Sequence, residues 1–251
     1  MSLHYTAWDW ALVAAVTAQC TLIAYLRSQK LKAVILSLPV PFTVASLAVG
    51  KPIGFSHISG FGLFLCYIYA VTLLHAGLRI PVVVCIAASA LAYAGVAWGL
   101  AQAVEATGTA FWVSCLATAL VAGLLFRLTP RRTEPGHRSP LPLWMKLPII
   151  AAVILGIVTT KQALQGFMTT FPMVSVVTAY EARHGLWTVA RQMNLFVFSF
   201  APSLALSYVL QNGLGLSLGA ALAAAWVVFL AVLWPLTRMA WRAKRAGVSQ
   251  E

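Results

Sequence analysis

Two apolar segments of this chain are interrupted by proline, and their backbone groups are candidates for binding a solute. Pro39 and Pro41 lie in the first segment, and Pro172 lies in the second. A proline inside a helix lacks the N–H that would bond the carbonyl four residues earlier. In lipid the freed carbonyl needs another partner. Two alternatives follow: a kink repaired by hydroxyls such as those of Thr43 and Thr170, or a discontinuous helix whose exposed ends bind a solute.

A second candidate is the polar turn TAYEARHGLWTVARQMN, which ends the second proline-containing segment. An ionisable side chain inside a membrane is a functional candidate because its burial in lipid is costly. Glu181 could pair with Arg183 or Arg191 as a structural clasp, or it could serve in gating or proton handling. Asn194 lies three residues after Arg191 and would share a helix face with it. The residues predicted for gating or proton handling are Glu181, Arg183, His184, Arg191 and Asn194.

The elements that must position these residues are almost entirely apolar. Of the 251 residues, 61% are hydrophobic and 9% are charged, whereas about a quarter are charged in a typical soluble domain. A membrane-spanning helix needs about 20 mostly apolar residues. The sequence therefore predicts an all-α polytopic membrane protein with about nine transmembrane helices. The predicted spans are 8–26, 33–50, 57–76, 80–103, 109–126, 144–160, 164–182, 187–210 and 214–236.

The positive charges predict an orientation. All but two of the 17 basic residues fall in alternate breaks or in the C-terminal tail, and the exceptions are Lys51 and Lys161. Because cytoplasmic loops of membrane proteins are enriched in Lys and Arg, the N-terminus is predicted outside and the C-terminus in the cytoplasm. The net charge of +12 is then explained without a nucleic-acid partner. Lys51 and Lys161 could extend to the headgroups or attract an anionic substrate.

The chain also contains an internal repeat. Residues 29–46 align without gaps over 162–179, at an offset of 133, with Pro39 over Pro172 and Gln29 over Gln162. Four predicted spans precede the fifth and four follow it. Four spans return the chain to the side where it started, and the fifth carries it across the membrane. The second set of four therefore starts on the opposite side and is inverted. Inverted repeats with broken helices at matching positions are a common plan of secondary transporters. The predicted divisions are 1–104 and 143–251 as the two four-helix repeats, joined by a linker helix and loop in 105–142.

Both repeats resemble the GlpM-like family of small bacterial inner-membrane proteins. The residues that carry the resemblance are RSQKLKAVILSLPVPFTVASLAVG in the first copy and KQALQGFMTTFPMVSVVTAYEARHG in the second. The Phe-Pro and Ala-Tyr pairs of the second copy fit the family best. The first copy has its prolines at Pro39 and Pro41 and has no tyrosine corresponding to Tyr180. The resemblance covers about 13–103 and 147–237 and implies an inner-membrane location. It implies no particular reaction.

The predicted function is that of a small secondary transporter or lipid-like-solute translocator, with its site between the two repeats. The excess of basic residues favours an anionic solute. The residues predicted to bind this substrate are Pro39, Thr43, Pro172, Ser175, Thr178 and Tyr180. The alternatives are a non-transporting scaffold for envelope or polysaccharide assembly and, third, a membrane enzyme acting on lipid. The chain contains no Walker A loop, G-x-S-x-G or H-E-x-x-H, so we expect no enzyme, cofactor or metal. The expected partners are the lipid bilayer and a small-molecule substrate.

Overall fold

A computed structural model describes residues 6–130, 134, 143–158 and 166–246. Within these ranges the chain forms helices and no strand. A π-helical turn, Leu73–Gly77, extends the helix Phe55–Thr72. The helices are α1 (Ala7–Tyr25), α2 (Gln29–Leu36), α3 (Val40–Val49), α4 (Phe55–Thr72), α5 (Val82–Ala103), α6 (Gly108–Leu128), α7 (Leu143–Val158), α8 (Phe167–Thr170), α9 (Met173–Glu181), α10 (Leu186–Leu214) and α11 (Leu218–Ala246).

The chain is a helical membrane protein. Among the described residues, seven helical segments are long and apolar enough to cross a bilayer, and α2 and α3 together make one of them. The outward faces are strongly apolar, as in α5, α6 and α11, where Leu91, Leu120 and Val227 are 65–73% exposed. The all-helical class predicted from the sequence is confirmed. The predicted sixth and seventh spans fall on α7 and on α8 with α9, which are shorter in the described ranges, so the count of nine stays a prediction.

The first proline-containing segment is a discontinuous helix. α2 ends at Leu36, and α3 begins at Val40 directly after Pro39. The carbonyl of Ile35, which Pro39 has no N–H to bond, accepts a hydrogen bond from Gln19 Nε2 of α1 at 2.6 Å. Thr43 Oγ1 donates to the carbonyl of Pro39 at 2.8 Å. The helix is therefore broken, and nearby polar side chains bond the backbone groups around the break.

The second proline-containing segment is broken in the same way. α8 ends at Thr170, and α9 begins at Met173 directly after Pro172. The carbonyl of Phe167 accepts hydrogen bonds from Tyr93 of α5 at 3.0 Å and from Thr170 Oγ1 at 3.1 Å. Prolines also occur inside α10 and α11 without ending those helices. The two breaks are thus features of these particular segments and not of every proline in the chain.

The first part of each broken helix packs on the helix that comes after the other broken segment. α2 packs against α10, and α8 packs against α4. The approach of α8 to α4 is close, since a Cβ added at Gly60 would lie 1.9 Å from Thr170 Oγ1. Two further contacts follow the same scheme, α5 with α9 and α11 with α3, while α6 packs on both α4 and α10.

Aromatic side chains fill the centre, where α3, α4, α10 and α11 meet. Phe200 of α10 contacts one ring on each of the other three helices, with ring centroids 5.1–5.4 Å apart. These pairs are edge-to-face, an arrangement that aromatic quadrupoles favour. The partners of Phe200 on these helices are Phe42, Phe61 and Phe229. This interior is tightly packed and apolar.

Candidate functional site

Lys32 of α2 is the most unusual charged residue among those described. Its side chain is 1% exposed, and its Nζ donates a hydrogen bond to the backbone carbonyl of Glu181, at the C-terminal end of α9, at 3.1 Å. The carbonyls at the end of a helix lack intrahelical partners and carry partial negative charge, so an ammonium is stabilised there. Glu181 is itself buried, at 6% exposure. A buried cation and a buried acidic residue therefore meet where α2 and α9 come together.

The first turn of α2 also contacts the turn between α9 and α10. A Cβ added at Gly185 would lie 2.6 Å from Cδ of Gln29. Gln29 is 5% exposed. A side chain at position 185 would therefore force the Gln29 side chain to shift.

A small cavity lies beside this contact, between α2, α4, α9 and the start of α10. The volume open to the centre of a water molecule is about 10 Å³, which is about the space that one water needs. Its wall includes Leu36 of α2, one helical turn after Lys32, and Ala182, the residue after Glu181. The polar residues that line it are Tyr67, Thr72, Ser175 and Thr178. Two of the predicted substrate-binding residues, Ser175 and Thr178, are therefore brought together here.

The hydroxyls around this cavity differ in their hydrogen bonding. Thr72 Oγ1 donates to the carbonyl of Ile68 at 2.8 Å, and Thr178 Oγ1 donates to that of Val174 at 2.7 Å. Tyr67 is 2% exposed, and its hydroxyl has no hydrogen-bond partner within the described part of the chain. A buried polar group without a partner is unfavourable. The hydroxyl of Tyr67, which borders the cavity, thus still has a hydrogen bond to offer.

The other predicted substrate-binding residues lie outside the cavity lining. Pro39 and Pro172 are buried at the two breaks, and Pro172 precedes Ser175 by about one helical turn. Thr43 accepts a hydrogen bond from Trp226 Nε1 of α11 at 2.8 Å. Tyr180 is 41% exposed.

The arginine and histidine predicted for gating lie at the surface of the turn between α9 and α10. Arg183 Nη1 donates to the carbonyl of Tyr180 at 2.8 Å, and its guanidinium carbon lies 4.5 Å from the centre of the Tyr180 ring. His184 is exposed. These two residues therefore cover the outside of the turn, whereas Glu181 faces its interior.

Arg191 and Asn194 lie farther along α10 and contact other helices. The guanidinium carbon of Arg191 is 5.2 Å from the ring centre of Phe126 in α6. Asn194 is 1% exposed, and its side-chain amide donates to the hydroxyl of Tyr69 in α4. That hydroxyl is also hydrogen-bonded to Thr129, just after α6. Asn194 therefore joins α10 to α4 and to the end of α6.

Glu134 was not singled out by the sequence. Its two carboxylate oxygens accept hydrogen bonds from the backbone N–H groups of Trp187 at 3.2 Å and Thr188 at 2.7 Å. Both N–H groups belong to the first turn of α10, where a helix has unpaired donors and partial positive charge. Glu134 therefore stabilises the start of α10, beside the turn that follows Glu181.

The sequence also missed the role of Lys32, which it placed in a cytoplasmic break before the second span. Helix α2 instead begins at Gln29 and includes Lys32. The available signal was the position of this lysine directly before the predicted apolar span 33–50. Of the two basic residues predicted on the outer side, Lys51 is exposed, and Lys161 lies outside the described residues.

No protein-family model matches this chain. Likewise, no curated protein and no solved structure shows significant similarity to it. Function is therefore inferred from the site itself.

Proposed function

We propose that this protein is a small secondary transporter built from two inverted four-helix repeats, with its solute site between them. The observation that carries the proposal is the reciprocal packing of the two discontinuous helices. α2 packs on α10, and α8 packs on α4. In transporters of this plan, broken helices at the interface of two repeats supply backbone groups for solute and ions.

The repeat is supported by residues that match at the offset of 133. Pro39 and Pro172 each directly precede a helix. Tyr93 of α5 and Trp226 of α11 are also separated by 133 positions. Each bonds a threonine of the other half's broken segment: Tyr93 bonds Thr170 Oγ1 at 2.9 Å, and Trp226 donates to the Thr43 hydroxyl at 2.8 Å.

The cavity lined by Ser175 and Thr178 is proposed as the closed form of the solute site. Its present size admits about one water, so a solute enters only when α2 or α9 moves away from α4. Small polar anions are the first solutes to test, because Lys32 supplies a buried ammonium one helical turn from the cavity wall. Glu181, Arg183 and Arg191 are proposed as the gate. In the predicted orientation this gate faces the cytoplasm of a bacterium, in agreement with the GlpM-like resemblance.

The proposal is tested with purified protein in proteoliposomes. Solutes are first screened by their effect on thermal stability, and those that stabilise the protein are measured for flux. Thr178→Val and Ser175→Ala should each lower the flux about tenfold, as expected if each removes about 1.4 kcal/mol of interaction with the moving solute. Ser59→Ala is the matched control, because Ser59 bonds Ser114 on α6 at 2.9 Å and does not line the cavity. Equal flux in all three variants would contradict this location of the site.

A non-transporting scaffold is the second candidate, and the tightly packed aromatic centre around Phe200 favours it. Such an interior has no need to open. Cross-linking in native membranes would then recover a stoichiometric partner protein. In that case no solute in the screen would stabilise the protein or cross the bilayer.

A further inference from the structure

The burial of Lys32 calls for a functional explanation, because removing a charged side chain from water costs free energy. Its ammonium lies in the interior of a membrane protein, at 1% exposure. Charged groups are buried only where partners compensate for the lost water. One partner is the carbonyl of Glu181, 3.1 Å away, and the helix end that contains this carbonyl adds a favourable dipole.

The two groups in this contact belong to different proposed repeats. Lys32 is in α2, and Glu181 ends α9, 149 positions later. The contact is also adjacent to the cavity, because Leu36 and Ala182 belong to the cavity wall. Gln29 and Gly185 pack closely at the same end. This end of the cavity is thus bordered by contacts between the repeats, and Lys32 supplies a charged member of them.

We propose that Lys32 is a latch. Its hydrogen bond to the Glu181 carbonyl holds α2 against the end of α9 and closes the cavity from that side, and this bond breaks when the cavity opens there. In the open state water solvates the ammonium in place of the carbonyl. The inference rests on the proposed function in one respect, namely that the cavity opens at all.

The test measures how fast a reporter cysteine in the cavity reacts with a membrane-impermeant, cationic methanethiosulfonate reagent. The reporter is Ala179→Cys, because Ala179 lines the cavity and is 7% exposed. The full chain is used after its four cysteines are replaced by alanine. These are Cys20, Cys66, Cys85 and Cys115. Labelling is followed in inside-out and in right-side-out membrane vesicles.

Lys32→Met should speed labelling of the reporter by about tenfold or more in inside-out vesicles, within the usual range of coupling between two states. Methionine is flexible and fills a similar space, so the variant removes the bond and leaves the packing. Lys30→Met is the matched control, since Lys30 is an exposed lysine of the same helix. Lys32→Arg retains a charged donor and should restore slow labelling.

The latch is wrong if Lys32→Met labels no faster than Lys30→Met, or if it speeds labelling only in right-side-out vesicles. Size-exclusion chromatography first shows that each variant is folded. If Lys32→Met is not, Lys32→Leu, which likewise has no donor, replaces it with the same expected result. Faster labelling without flux of any solute would leave the latch standing and contradict the transporter. Flux with unchanged labelling would support the transporter and contradict the latch.

Discussion

Gln19 and Ile35 are joined by a hydrogen bond from the side-chain amide of Gln19 to the carbonyl of Ile35, 2.6 Å long. The bond places the middle of α1 beside the break between α2 and α3. Together with the N–H of Leu38, 3.2 Å away, it satisfies the carbonyl that an uninterrupted helix would have bonded through residue 39, where proline has no N–H. A neighbouring helix therefore helps to stabilise the break.

Gln19→Leu should destabilise the protein by about 0.5–1.5 kcal/mol, the usual net contribution of one hydrogen bond, because the Ile35 carbonyl keeps the Leu38 N–H as its other partner. The measurement is reversible unfolding in mixed micelles, followed by circular dichroism. Gln102→Leu is the control, because Gln102 is exposed near the end of α5. Equal stability of the two variants would mean that the Ile35 carbonyl does not depend on Gln19.

Gly60→Ala should loosen the contact between α4 and α8. The added Cβ would lie 1.9 Å from Thr170 Oγ1 and 2.9 Å from Thr170 Cβ, so α8 must shift and not only the hydroxyl. Overpacking of this kind costs about 1–3 kcal/mol. Gly95→Ala is the control, since nothing lies within 4 Å of its added Cβ, and alanine there should stabilise helix α5 slightly. The same unfolding assay should therefore give shifts of opposite sign.

Gln29→Cys with Gly185→Cys should form a disulfide on mild oxidation of the otherwise cysteine-free protein. The reason is the close approach of Gln29 to position 185, where an added Cβ lies 2.8 Å from Gln29 Cγ. Disulfides require this kind of proximity. The cross-linked peptide is detected by mass spectrometry. Gln29→Cys with Gly213→Cys, at the far end of α10, should give none, and equal yields for the two pairs would contradict the packing of α2 on the start of α10.

Glu134→Gln should destabilise the protein by about 0.5–2 kcal/mol, the range for loss of a helix cap or of a favourable charge at a helix N-terminus. Glu105→Gln is the matched control, because Glu105 is exposed in the short link between α5 and α6. Hydrogen exchange of the Trp187 and Thr188 amides should increase in Glu134→Gln alone. Unchanged protection of these amides would show that the cap contributes nothing.

The two proline breaks could be predicted from the sequence because the rule behind them is local. A missing N–H at Pro39 or Pro172 affects a carbonyl only four residues away. The membrane-spanning helices are likewise predicted from local stretches of about 20 apolar residues. Ser175 and Thr178 were predicted as substrate-binding residues for the same reason, since they follow Pro172 in the helix that begins directly after it.

The partners of Lys32 and Glu134 could not be found in this way. Glu134 lies 53 and 54 positions from the amides that it bonds, and Lys32 lies much farther from its carbonyl. Positive charge before an apolar span ordinarily marks a cytoplasmic loop, so the rule that gave the orientation also placed Lys32 in water. It is buried where α2 packs on α10 and meets the end of α9.

The contact between Lys32 and Glu181 also has a consequence for biosynthesis. Glu181 is the 149th residue that the ribosome adds after Lys32. Until then this contact cannot form, so we expect the ammonium to stay near the hydrated membrane surface. The contact that binds the first broken helix to the second therefore forms only after the second one has been made. Folding of the N-terminal half is completed by the C-terminal half.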